Sequence, residues 1–118
     1  MTAKGVGLVG LVLLTLCVPV QARRYLGYNN TSCASWTAAR TQERNEPSQS
    51  AGYVVWGMQQ WALGAVSGAN DVGVGKDYLQ GIDADAVRDW LDQRCSRDPV
   101  MNFPEAVFEL VKELQSRP

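Results

Sequence analysis

The side chains that could carry chemistry are few, and their types restrict it at once. There is no histidine among the 118 residues. The usual general base, the commonest zinc ligand and the side chain that titrates near neutrality are therefore missing. The three cysteines are Cys17, Cys33 and Cys95. They show neither Cys-x-x-Cys spacing nor further soft ligands, so neither a redox dithiol nor a metal site is expected. Gly73-Val74-Gly75-Lys76-Asp77 resembles part of a phosphate loop, which needs glycine five positions before the Gly-Lys pair and Ser or Thr after it. Asn70 and Asp77 stand at those places. Asp71, Asp77, Asp83 and Asp85 carry charge that calcium could use, but they lack the alternation and closing glutamate of a calcium loop. Asn29-Asn30-Thr31 and Asn30-Thr31-Ser32 are overlapping glycosylation sequons, which matter only in a host that glycosylates exported proteins. No catalytic constellation emerges. The expectation is a non-enzymatic protein with no cofactor and no metal.

The N-terminus sets the compartment in which the cysteines are read. Met1 to Lys4 is a short cationic start, and Gly5 to Val18 is an uncharged apolar run, shorter than the ~20 residues of a membrane span. Pro19 follows, then Val20-Gln21-Ala22 with small residues at −3 and −1. This order is that of a secretory signal over residues 1–22, so export to the periplasm or outside is expected, with cleavage after Ala22. Cys17 leaves with the signal, since Leu16 is too bulky to precede a lipidated cysteine. Cys33 and Cys95 remain, and in an oxidising compartment they are expected to form a structural disulfide. Eleven Lys and Arg against twelve Asp and Glu give no basic face for nucleic acid, and the apolar content is too high for a disordered chain.

The elements that must position these residues read as helices. Residues 23–31 form a polar, flexible lead-in. Thr31 or Ser32 caps a first helix from Cys33 to about Gln42, with Trp36 and Ala39 on the face of Cys33. Pro47 punctuates a linker over 43–50. Ser50 to Ala69 is the most apolar stretch, but Gln59-Gln60 at its centre mark it as a buried helix of a domain rather than a membrane span. Val54, Met58, Trp61, Ala65 and Gly68 fall on one face at helical spacing. Trp56 and Trp61 read as core, and close packing against Gly57, Gly64 and Gly68 would offset their helix cost of up to ~1 kcal/mol each. A glycine-rich connection over 70–81 follows. Asp83 opens a third helix with the stripe Ala86, Val87, Trp90, Leu91 and Cys95. Asn102 and Glu105 read as a capping box for a fourth helix striped by Phe103, Ala106, Val107, Leu110, Val111 and Leu114. Charges on the last two helices read as a solvated face. The fold class is all-α: one four-helix domain over 32–118 with one disulfide and a core built on Trp36, Trp61, Gly64, Gly68, Trp90 and Leu110.

One order of features has a counterpart. Cys33 opens the first helix, a long central helix and a glycine-rich loop follow, and then comes Asp83-x-x-Ala86-Val87-x-x-Trp90-x-x-x-x-Cys95-x-x-x-Pro99 before a short capped helix. Over Cys33 to Leu114 this resembles the small periplasmic helical proteins of the HdeA/HdeB acid-stress chaperone type. The resemblance implies a cysteine at the first helix bridged to one near the end of a later helix, and unfolded client chains as partners. Trp61-x-x-Gly64-x-x-Ser67-Gly68 resembles a second group, the periplasmic immunity proteins that neutralise type VI secretion amidases, whose further cysteines are missing here. That resemblance implies a secreted enzyme as partner. The loop that would enter it is the glycine-rich connection, represented by Asn70, Asp71, Gly73, Gly75 and Lys76. Neither group implies catalytic residues. A homodimer is open, whereas nucleic-acid binding and stable membrane insertion of the mature chain are not expected.

Overall fold

The computed structural model describes residues 27–46, 49–73 and 75–118, so the expected signal over 1–22, with Cys17, and the start of the lead-in lie outside the described residues. Four helices run in order among the described residues: α1 (Cys33–Asn45), α2 (Gln49–Asp71), α3 (Ala84–Arg97) and α4 (Phe103–Ser116). Among the described residues the only extended pairing is one bridge between Ser32 and Asn102. The chain is all-α.

Local chemistry explains most of the boundaries. The Ser32 side chain accepts from the Ser35 backbone N–H at 3.3 Å, and Asp83 Oδ1 accepts from that of Ala86 at 2.8 Å; both satisfy donors that a helix start leaves unpaired. The fourth helix departs from the expected capping box. Asn102 makes no side-chain cap; its Nδ2 donates to the carbonyl of Asn29 at 2.6 Å instead. The free donors at the starts of α1 and α4 are met by tertiary lacing: Cys33 N–H to Met101 O (2.7 Å), Ala34 N–H to Pro99 O (2.9 Å) and Phe103 N–H to Thr31 O (2.8 Å). Two helix starts and the α3–α4 turn are thereby sewn together around Cys33.

The core gathers at that seam. Trp36, Phe103, Cys33 and Cys95 are fully buried, and the Trp36 and Phe103 rings stack at 5.4 Å. Cys33 and Cys95 form the expected disulfide, with Cα atoms 4.7 Å apart. Helix α3 adds Val87 and Leu91, while α4 adds Val107, Leu110 and Leu114. Leu110 is core as expected, but four other expectations need correction. Trp61 and Trp90 pack against the core only partly buried. Trp56 is 60% exposed. On α2 the buried face is Val55, Met58, Ala62 and Val66, while Val54 is exposed, so the helix is rotated from the expected stripe. The reason is that α2 carries no charged residue before Asp71, so no polar edge marks its outer side. Gly64 and Gly68 are exposed, and a Cβ on either would meet nothing within 4 Å; they take no part in packing.

The close approach lies at the lead-in instead. Residues 27–31 are docked on the helices rather than loose. Tyr28 sets its ring edge against Trp61 at 6.0 Å and Phe103 at 6.2 Å, and its hydroxyl fills the space a Cβ of Gly57 would need. Gly27 has φ +113°, and a Cβ there would lie 2.9 Å from Trp61 Nε1.

These contacts set two expected outcomes. Replacing Cys33 and Cys95 together lowers unfolding free energy in guanidinium titration by about 2–4 kcal/mol, through the entropy the unfolded chain regains. Gly68→Ala stabilises by about 0.5–1 kcal/mol, whereas Gly27→Ala destabilises, because it meets both a left-handed backbone and the Trp61 ring.

Candidate functional site

The glycine-rich connection is organised from within. Asn70 Oδ1 accepts from the Tyr78 backbone N–H at 2.7 Å, and Asn70 Nδ2 donates to Asp77 Oδ1 at 3.0 Å. The same Asp77 oxygen accepts from Leu79 N–H at 3.0 Å. Gly73 lies under the Tyr78 ring, where a Cβ would approach Cε2 to 3.0 Å, and Gly75 takes φ +81°. Lys76 donates to the carbonyl of Arg117 and sits over the Tyr78 ring. Asn70, Gly73 and Lys76 thus serve to shape the loop and hook it to the end of α4. Asp71 and Gly75 are exposed, and Val72 is 80% exposed. Beneath the loop, Val66, Ala69, Tyr78 and Leu79 face Val111 and Leu114 across a cleft of about 10 Å³. That is room for about one water, against the roughly 300 Å³ of a small-molecule site.

A second constellation was not read from the sequence, and it ties α3 to both neighbours through carboxylates. Towards α1, Asp92 accepts from Trp36 Nε1 at 2.8 Å. It also takes Arg40 in a fork, with Nε 3.0 Å from Oδ1 and Nη2 2.9 Å from Oδ2. Glu43 Oε1 accepts from Arg40 Nη1 at 2.8 Å and from Arg88 Nη2 at 2.9 Å. Towards α4, Glu109 accepts from Arg94 at 2.5 Å, and Glu113 accepts from Trp90 Nε1 at 2.7 Å. The expected solvated face of α3 and α4 is corrected here: Arg88, Asp92 and Arg94 are half-buried and engaged between helices. The available signal was the Trp36–Arg40 and Arg88–Asp92 spacings of four, which put each pair on one helix face; nothing local showed that the two faces meet.

The electrostatics follow the geometry. The hydrogen bond from Arg94 holds the Glu109 carboxyl below the usual carboxylate range, against the opposing effect of partial burial. The Asp92 hydrogen bond raises Arg40, already permanently charged. Among the described residues no group of three His, Cys, Asp or Glu could hold a metal, and no helix is long and apolar enough to cross a membrane. No protein-family model, characterised protein or solved structure matches the chain.

Asp92→Ala leaves a mostly buried guanidinium and an indole N–H without their acceptor, so denaturation at neutral pH reads a loss of about 2–3 kcal/mol. For Glu109 the folded pKa lies below the unfolded one. Its stabilising contribution is therefore complete above the unfolded value near ~4.3 and disappears as pH falls through the folded value. Glu109→Gln accordingly lowers the thermal midpoint at pH 7 and narrows the difference between pH 7 and pH 3.

Proposed function

We propose that the protein is a non-enzymatic, exported holdase that binds unfolded client chains in acid, in the manner of the HdeA/HdeB proteins it resembles. One observation supports the reading best. Helix α3 is fastened on both sides by carboxylates, from Asp92 and Glu43 at the α1 seam and from Glu109 and Glu113 at the α4 seam. Acid neutralises carboxylates as a class, and the Arg94–Glu109 tie is lost as pH falls through the lowered folded value of Glu109, while Arg40, Arg88 and Arg94 stay charged. With Lys4 removed in the signal, the remaining Lys and Arg side chains leave the chain strongly cationic, and repulsion loosens it further. Val87 and Leu91, buried in the folded domain, then become apolar surface for a client. The Cys33–Cys95 link does not titrate and keeps α3 attached to α1, so exposure stops short of complete unfolding.

The immunity reading has its own support in the loop. Its internal Asn70–Asp77 pairing pre-organises Asp71 and Val72 at the surface, the condition for insertion into a partner enzyme at low entropic cost. Inhibition of a secreted cell-wall amidase that Val72→Asp abolishes is the result that would establish it.

The holdase reading is tested by light scattering from an acid-shocked client returned to neutral pH, with this protein at equimolar or higher ratio. Scattering is expected to fall. No reduction overturns the reading.

A further inference from the structure

We propose that the slot between α2 and α4 beneath residues 27–32 is an autoinhibited peptide site, which takes an extended segment carrying a Gly-Tyr or Gly-Phe pair. Residues 27–32 are its resident occupant. The site lies apart from the α3 seams and does not rest on the holdase reading.

The slot is built from residues that the helices hold in place. Phe103 is fully buried and stacked on Trp36. Trp61 tilts against Phe103 at 6.1 Å and is braced from behind by the edge of Phe108 at 6.4 Å. Trp61 and Phe103 thus form two aromatic walls, and Tyr28 meets both in edge geometry, which ring quadrupoles favour. Gly57 closes the far end. The Cβ it lacks would lie 2.8 Å from the Tyr28 hydroxyl and would meet nothing else within 4 Å. At the mouth, Phe103 N–H and Asn102 Nδ2 donate to the carbonyls of Thr31 and Asn29, and Ser32 pairs with Asn102 as an antiparallel bridge. Carbonyls at such positions are supplied by any extended backbone. A pocket for one side chain beside main-chain hydrogen bonds for its neighbours is the recognition chemistry of strand-like peptides.

Two observations mark residues 27–32 as an occupant rather than a part of the core. The buried cluster contains none of them; Gly27, Asn29 and Asn30 are exposed and Tyr28 is half-buried. The fit is also incomplete. Asn102 uses its Nδ2 on the strap, while its Oδ1 is buried without a hydrogen-bond partner among the described residues, a cost that a segment with a donor at that point removes. The pair of residues read by the slot follows from its shape. The position before the ring must be glycine, because Gly27 takes φ +113° and a Cβ there would lie 2.9 Å from Trp61 Nε1. Tyrosine and phenylalanine both fit, since Gly57 leaves room for the hydroxyl. Ser32 runs directly into Cys33 of α1, so the strap faces its slot at an effective concentration in the millimolar range. A free peptide therefore competes poorly until the strap is weakened.

Fluorescence anisotropy at neutral pH tests this with the peptide acetyl-Gly-Tyr-Asn-Asn-Thr-Ser carrying a C-terminal fluorophore, on protein made from the full reading frame. Tyr28→Ala empties the slot, and Gly27→Ala loosens the strap by a separate route; both lie outside the four helices, and circular dichroism checks that each is folded. Both variants are expected to bind the peptide saturably, and wild type at least about 10-fold more weakly than Tyr28→Ala. Replacing the peptide's glycine by alanine is expected to abolish binding to Tyr28→Ala. Adding Gly57→Ala to Tyr28→Ala places a methyl group where the hydroxyl would sit, so the Tyr peptide is expected to be lost while its Phe counterpart still binds. Absence of binding by a folded Tyr28→Ala or Gly27→Ala protein overturns the proposal. Wild type binding as tightly as Tyr28→Ala, an Ala-Tyr peptide binding like the Gly-Tyr one, or a Gly57→Ala change that does not separate Tyr from Phe overturns it equally.

Discussion

The fold depends on how one side chain, Trp36, is buried. Its ring is the largest fully buried group and stacks on Phe103, which fixes the distance between α1 and α4. Its indole N–H cannot be buried without an acceptor, and the acceptor is Asp92 on α3. A carboxylate drawn to the edge of a core needs a counter-charge, and Arg40 supplies it from one turn beyond Trp36. Glu43 and Arg88 extend the chain of pairings along the same seam. A single aromatic burial therefore sets the angle of α3 against α1 and concentrates the charged groups between them. The disulfide stands at the other end of this seam, where Cys33 and Cys95 meet beneath the laced helix starts.

The two fastenings respond to different conditions. The disulfide is indifferent to pH and sensitive to reductant; the Arg94–Glu109 tie is indifferent to reductant and weakens as pH falls through the lowered folded value of Glu109. Because the same helix, α3, carries both, the holdase reading expects loosening in acid to take a definite form, with α3 freed along its length and held near its C-terminal end. Helix α2 is retained by a different means. It is attached through apolar contacts of Val55, Met58, Ala62 and Val66, which protonation does not touch.

Legibility followed the range of the interaction. The Ser32 and Asp83 caps, the stripe of α4 and, on α3, Val87, Leu91 and Cys95 were readable, because each is settled within a few residues; Ala86, also expected on the α3 stripe, is exposed. Helix α2 was readable as a helix but not in its rotation: with apolar residues all round, Val54 and Val55 are equivalent until neighbours choose between them. The Asn102 cap failed for a related reason: Nδ2 donates to the carbonyl of Asn29, distant in sequence, and the side chain so oriented makes no cap with Oδ1. Tyr28 and Gly27 looked like lead-in because their partners, Trp61 and Phe103, lie in other elements. The Arg40–Asp92 and Arg94–Glu109 pairs were invisible as pairs, and the expectation that the charges of α3 and α4 form a solvated face missed that Asp92 and Arg94 are half-buried between helices. The loop residues were found, but their hydrogen bonds turn inward and build the loop itself.

The claim that α3 is the acid-released element is tested most directly by residue-resolved amide hydrogen exchange at pH 7 and pH 3 with the disulfide intact, corrected for intrinsic exchange rates. The account predicts that protection falls first in Ala84 to Leu91, while the turn around Cys95, the buried part of α2 and the core of α4 keep theirs. Simultaneous loss of protection in α2, α3 and α4, or an α3 as protected at pH 3 as at pH 7, would contradict it.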